Sequence, residues 1–321
     1  MGNFDDTIEC YDDILKKYIK QGEAYFEQAN LLYFDKNEIK AAIVLYNKAI
    51  SLGTRNENIY YNLGMCLEAS GDMEQALKWI ERAIHINQQK IDFLLKKASI
   101  LTLLNKLNGA KETYDMVLTM DFKNEEAYHF KSILLARQEK YDEAFSVLID
   151  AEEIIGEKVI FKYDKALIFE AQMKFKDALE AIEQALVMVG DNKLLLEKQA
   201  FLLLLLEKGD DAKMICQKIT QLDPENMEGY FNKASVCLLN QELNESLTIF
   251  ESIIKKSAKD NAYKIYSYYF RALVLSRLGK DDEASEAYKY ALQNYNILLL
   301  DYPYDVQLQL LKANSLRDTR R

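Results

Sequence analysis

The chain is short of the residues that interrupt helices and of those that build reactive sites. Among 321 residues there are 2 prolines and 11 glycines, too few to supply the turns of a protein made from strands and tight hairpins. The two histidines, His85 and His129, are neither adjacent nor set at ligand spacing from a cysteine, which argues against a metal centre. Cys10, Cys66, Cys216 and Cys237 lie far apart with no Cys-x-x-Cys pair. Neither a disulfide framework nor a zinc knuckle is suggested, and a reduced, cytoplasmic setting is the simplest fit. Long apolar runs are missing as well. The longest, Ala200 to Leu206 inside "FLLLLLEKG", has seven residues, whereas crossing a bilayer takes about 20.

Positive charge is in deficit. The formal net charge of −10 repels phosphate backbones and anionic lipid, so no nucleic-acid partner and no membrane insertion are expected. The basic residues Lys312, Arg317, Arg320 and Arg321 form one cluster, read as a solvated chain end. The opening "MGNFDDTIEC" is acidic where a secretory signal is basic and has no apolar stretch. Glycine-rich phosphate loops, nucleophile elbows and His-Glu-x-x-His are also absent. The pairs Asp210-Asp211 and Asp281-Asp282 fall at expected helix starts, where the helix dipole favours carboxylates without any catalytic purpose. No enzyme activity and no cofactor are expected.

What the chain does have is Leu, Ala, Glu and Lys, the composition of helices, arranged with a period. Ala42, Ala76, Ala110, Ala144, Ala178, Ala212 and Ser246 recur at intervals of 34, and Ala284 follows after 38. Twelve residues before each anchor stands a second, mostly small position: Asn30, Gly64, Ala98, Ser132, Ala166, Ala200, Ala234 and Ala272. Large apolar residues follow at offsets of three and four, such as Leu101 and Leu203 after the second position and Tyr46, Ile80 and Phe250 after the anchor. Those offsets mark one face of a helix. Short polar turns such as "ASGD", "EKGDD" and "RLGKDD" separate the halves, with Gly expected to make the turn and Asp to cap the next helix. Each period is therefore a hairpin of two antiparallel helices, with small residues where the backbones approach most closely. One hairpin cannot bury its apolar face alone, and a stack can.

This pattern resembles the tetratricopeptide repeat family over residues 22–298, eight times at that family's period. The family's aromatic at the fourth position is present as Phe26, Tyr60, Tyr128, Tyr230 and Tyr268 and replaced by Leu94, Lys162 and Leu196 elsewhere. Its leucine at the seventh position becomes Lys97, Lys131, Lys165, Gln199, Lys233 and Arg271, long side chains whose stems can cover apolar neighbours. The resemblance implies an α-solenoid, a right-handed superhelix of helix hairpins. A leading helix is expected within residues 1–21, with Ile8, Tyr11, Leu15 and Ile19 on one face. A capping helix and short basic tail are expected over 299–321, and the four extra residues within "IIKKSAKDNAYKIY" are expected to lengthen a helix or loop.

The resemblance also implies the function, a non-catalytic adaptor whose first helices line a concave groove for a protein or peptide. The matching groove positions give the candidate site: Tyr61, Met65, His129, Ile133, Tyr163, Leu167, Phe201, Leu204, Leu205, Phe231, Leu238, Leu239, Tyr269 and Leu273. Family members that clamp a terminal carboxylate need Lys at the fifth and Asn at the ninth position of one repeat, and neither occurs at those positions here. An apolar peptide or amphipathic helix is the expected occupant. The alternative is a structural subunit that associates with itself through the same apolar surface. Within the leucine run, Leu203 is the expected core residue, and Leu204 and Leu205 the expected groove floor.

Overall fold

The computed structural model describes residues 21–225, 227–256 and 262–301, together with residues 8 and 11. The leading helix as a whole, Cys10, residues 257–261 of the insertion and the capping segment beyond Asp301 lie outside the described residues. Within them the chain is all-α, sixteen α-helices with no strand. They form eight hairpins, and the chain divides into two compact units, Met1–Glu157 and Lys158–Arg321.

The first unit holds α1 (Gln21–Asn30, continued by a π-helical turn, Leu31–Asp35), α2 (Ile39–Ser51), α3 (Glu57–Ala69), α4 (Met73–Ile86), α5 (Ile91–Leu103), α6 (Leu107–Met120), α7 (Glu125–Arg137) and α8 (Tyr141–Ile155). The second holds α9 (Val159–Ala171), α10 (Phe175–Val189), α11 (Lys193–Leu205), α12 (Gly209–Leu222), α13 (Met227–Leu239), α14 (Leu243–Lys256), α15 (Ala262–Arg277) and α16 (Asp281–Asp301). In each unit a helix pairs with its hairpin partner, and the second helix of one hairpin packs on the first helix of the next. The division follows Gly156, whose φ of 97° ends α8. The 34-residue register runs through it unbroken, so nothing in the period marks it.

The anchors are where the hairpins close. Ala42, Ala76, Ala110, Ala144, Ala178, Ala212 and Ser246 are fully buried and Ala284 nearly so. Facing them, Ala98, Ser132, Ala166, Ala234 and Ala272 are fully buried too. Gly64 shows how tight the contact is, because a Cβ there would lie 2.7 Å from Ile80 Cδ1. Where the anchor is Ser246, its hydroxyl donates to the Ala234 carbonyl at 2.8 Å, so a buried polar atom is satisfied across the hairpin.

First and second helices differ in kind. The second helices are one-sided, whereas the first are apolar nearly all round because they are packed from two sides. In the second to eighth repeats their third and tenth positions, including Ile59, Phe93 and Phe161 and then Cys66, Ile100, Ile168 and Leu202, are buried. These two core positions extend the set read from the repeat. They explain the leucine run: Leu202 and Leu203 are both buried, Leu204 is half-buried and Leu205 is exposed.

The turns inside the hairpins correct one expectation. A left-handed residue recurs at Asn37, Gly71, Asn105, Glu139, Met173, Glu207, Gln241 and Gly279, one per repeat. The backbone N–H after it reaches back to a first-helix carbonyl, as in Asp72 to Leu67 at 2.9 Å and Lys106 to Leu101 at 2.8 Å, the bond that closes a helix C-terminus in this geometry. Glycine makes the turn in "ASGD" and "RLGKDD" as expected. In "EKGDD" the left-handed residue is Glu207, and Gly209 instead begins α12, where a Cβ would strike the Asn240 side chain. Asp72 caps α4 by accepting from Gln75 N–H at 3.2 Å. Asp210 and Asp211 lie inside the first turn of α12 rather than at its cap.

At the chain's end, α16 runs to Asp301, past the boundary at 298. Part of the insertion lengthens α15, which starts at Ala262 and has 16 residues where earlier first helices such as α13 have 13.

Candidate functional site

The first-helix face is built by stacking, which brings residues at the second, fifth, sixth and ninth positions of successive first helices side by side. In the first unit these residues enclose a cleft of about 310 Å³ lined by Tyr61, Asp92, Leu95, Lys96, Ser99, Glu126 and Phe130, from α3, α5 and α7. The Tyr61 ring is held in place by stacking on Phe93 with centroids 4.6 Å apart. Phe130 lies 4.6 Å from the His129 ring and 6.3 Å from that of Tyr114. The Lys96 ammonium is engaged by Glu68 at 3.1 Å. Burial raises the Tyr61 hydroxyl pKa, and the charges of Asp92, Glu68 and Glu126 raise it further.

The candidate residues separate into three groups. Phe201 is 46% exposed and Leu239 is 65% exposed, and Leu205 is exposed beside them; all three remain open apolar surface. Tyr61, Met65, His129, Ile133, Tyr163, Leu167, Leu204, Phe231 and Leu273 are half-buried. Leu238 and Tyr269 are core residues, at 4% and 6% exposure, and so correct the expected groove set. Leu238 belongs to the cluster of Ala234, Phe250, Ile253 and Val274, because α13 meets α15 directly there as well as its own partner α14. The Tyr269 ring turns toward α16 and packs edge-on against Tyr288 with centroids 5.7 Å apart.

Phe231 sits at the centre of an aromatic cluster, with ring centroids 5.7 Å from Phe250, 5.9 Å from Tyr263, 6.1 Å from Tyr266 and 5.4 Å from Phe270. It supports the face more than it decorates it. Of the cleft residues, Asp92, Leu95, Lys96, Ser99, Glu126 and Phe130 were missing from the candidate set. The register gave their positions, but an expectation of an apolar lining passed over the charged Asp92, Lys96 and Glu126.

The seventh-position lysines have partners that the sequence did not reveal. Lys97 meets Glu81 at 3.0 Å, Lys131 meets Asp115 at 2.6 Å, and the Gln199 amide donates to Glu183 at 3.4 Å. Each reaches sixteen residues back, to the second helix of the preceding hairpin, and so ties neighbouring repeats together. Another ion cluster joins Lys213 to Glu242 at 2.5 Å and Glu245 at 2.7 Å. Cys237 adds a thiol, giving among the described residues one group of three ligand atoms, a thiol sulfur and two carboxylate oxygens, within 4.8 Å of one another. The Lys213 ammonium stands between those carboxylates as their cation, and burial pushes the Cys237 thiol up to about 12.

Comparisons with known proteins agree with this architecture. The family profile described as "TPR repeat" matches residues 31–69, and that described as "Tetratricopeptide repeat" matches 57–90. The chain is a tetratricopeptide repeat protein.

As such it is similar to TPR repeat-containing protein MJ1428 of Methanocaldococcus jannaschii, 22% identical over 78% of this chain and 47% of that protein. TPR repeat-containing protein YpiA of Bacillus subtilis is 21% identical over 71% of this chain and 53% of its own length. The chain thus spans about half the length of these two relatives. Among solved structures, yeast Tom70 superposes with a TM-score of 0.63 at 18% identity, covering 86% of this chain and 59% of that one. A tetratricopeptide repeat protein from Parabacteroides merdae gives 0.58 at 17% identity, covering 76% and 96%. At these identities the likeness is one of fold. Tetratricopeptide repeats are a protein-interaction architecture, and among the described residues no helix is long and apolar enough to cross a membrane.

Proposed function

We propose that this tetratricopeptide repeat protein is a non-catalytic adaptor that holds an apolar or amphipathic segment of another protein on its first-helix face. The observation that supports this most is the exposure of Phe201, Leu205 and Leu239 on helices whose buried positions are already filled. Apolar side chains left open beside a completed core mark a docking surface rather than a packing need. The buried, unpaired thiols of Cys66, Cys216 and Cys237 suit a reducing compartment such as the cytoplasm.

The test is the double variant Phe201→Asp/Leu205→Asp. Partner capture should be lost while helicity and melting temperature stay near those of the wild type. Unfolding of the variant would return these residues to the core and remove the reading. Phe231→Asp is unsuitable, since it would break the aromatic cluster.

A second reading, self-association, has support of its own on the second helices. Val187 is 87% exposed and Met214 63% exposed, beside a cleft of about 410 Å³ lined in part by Leu186, Leu196 and Ile215. Sedimentation over a range of concentrations decides it, and a monomer throughout removes it.

A further inference from the structure

The first-helix face of each unit sets carboxylates beside aromatic rings. In the first unit Asp92 and Glu126 stand at the second positions of adjacent repeats and line the cleft walled by Tyr61, Leu95 and Phe130. Neither carboxylate takes part in an ion pair among the described residues, and both are exposed. The one ammonium in the cleft, on Lys96, is already paired with Glu68. In the second unit Glu228 stands at a second position and Glu197 at a fifth, and both act on Tyr263, whose ring lies 5.9 Å from that of Phe231. Burial and the Glu228 contact push the Tyr263 hydroxyl up to about 12, with the charge of Glu197 adding to the effect.

A carboxylate next to an aromatic face suits one ligand chemistry. A lysine or arginine head is attracted by the ring's face and paired by the carboxylate, while its alkyl stem covers apolar surface. An acidic segment would meet repulsion from the same groups and from a chain of net charge −10.

Resting on the adaptor reading above, we propose that the bound protein segment is basic, placing a lysine or arginine side chain between Tyr61 and Phe130, where Asp92 and Glu126 meet its charge. The cleft thereby selects among amphipathic segments by charge.

Fluorescence anisotropy with the full chain tests this, using three labelled synthetic peptides that share one leucine pattern and carry arginine, glutamine or glutamate at the other positions. The arginine peptide should bind about tenfold more tightly than the glutamine peptide, with the glutamate peptide weakest. Asp92→Asn/Glu126→Gln should remove most of that preference. Asp142→Asn/Glu143→Gln, an equal change of charge on exposed residues of α8, should leave it intact. Equal binding of the arginine and glutamine peptides would overturn the basic preference and leave the adaptor reading standing. Loss of the preference in the α8 variant to the same degree would overturn the assignment to the cleft. Failure of all three peptides to bind would overturn both.

Discussion

The Tyr46 hydroxyl of α2 donates a hydrogen bond to Asn30 Oδ1 in α1 at 2.8 Å, and the Asn62 amide of α3 donates to the same oxygen at 2.9 Å. Asn30 stands where other repeats place Ala, Ser or Gly, so a polar residue at the close approach of two helices is tolerated by serving two buried donors. Asn30→Ala should cost about 1–3 kcal/mol, the penalty for leaving the Tyr46 hydroxyl unpaired. Adding Tyr46→Phe should recover much of that loss. Urea unfolding of the single and double variants gives the comparison, and simple additivity would show that the two residues are not coupled.

The left-handed turn position predicts a stabilising change. Met173 adopts φ 59° where Gly71 and Gly279 occupy the equivalent place in their own repeats. Left-handed backbone costs a side-chain-bearing residue about 1–2 kcal/mol, against the greater entropy glycine loses on folding. Met173→Gly should raise stability by about 0.5–1 kcal/mol, and Gly71→Val should lower it by about 1–2 kcal/mol, both read from denaturant midpoints. A destabilised Met173→Gly would mean that the side chain packs more than its exposure implies.

Asp115 gives a pH-dependent contribution. Burial acts to raise its pKa, but hydrogen bonds and charge from Lys131 and then Lys111 outweigh that and hold the carboxyl below its ordinary range. A depressed folded-state pKa stabilises the fold above the unfolded value of about 3.9 and loses that contribution as pH falls through the folded value. The Asp115 side chain is 41% exposed, so solvent screening limits the effect to roughly 0.5 kcal/mol. Asp115→Asn should be less stable than the wild type by that amount at pH 7 and indistinguishable from it near pH 2. A gap that persists at the lower pH would assign the loss to packing.

The thiols make a chemical prediction. Burial pushes Cys66 and Cys237 up to about 12 and Cys216 up to about 11. At pH 8 a thiol reagent should leave these three unlabelled in the folded protein and label all of them in guanidinium, as mapped by peptide mass spectrometry. Labelling of Cys216 before unfolding would contradict its place in the core.

How far the sequence disclosed this structure depends on what carries the signal. The anchors and their partners were legible because a small residue is required wherever two helix backbones touch, and that requirement repeats every 34 residues. The third and tenth positions, such as Phe161 and Ile168, were harder to recognise. A helix packed from two sides is apolar nearly all round, and its periodicity flattens. The same flattening placed Leu238 and Tyr269 on the open face, when α15 covers Leu238 and α16 covers Tyr269. The turn at Glu207 gave no sign because any residue can occupy that backbone at modest cost, and the eye goes to the neighbouring Gly209. Partners of Lys97 and Lys131 lie on the preceding hairpin, a relation that the stack creates and no local pattern shows. At the cleft, Asp92 and Glu126 are acidic first-turn residues of α5 and α7, and only the adjacent rings of Tyr61 and Phe130 give them a second role.

The central claim is that partners dock on the first-helix face, and site-directed photo-crosslinking tests it most directly. A benzophenone amino acid placed at Phe201 on α11, and in a separate protein at the more exposed Met214 on α12, reports which face a partner touches. The account predicts crosslinked partner adducts from position 201 and none above background from position 214. Adducts from position 214 with none from 201 would contradict it and move the interaction to the second helices.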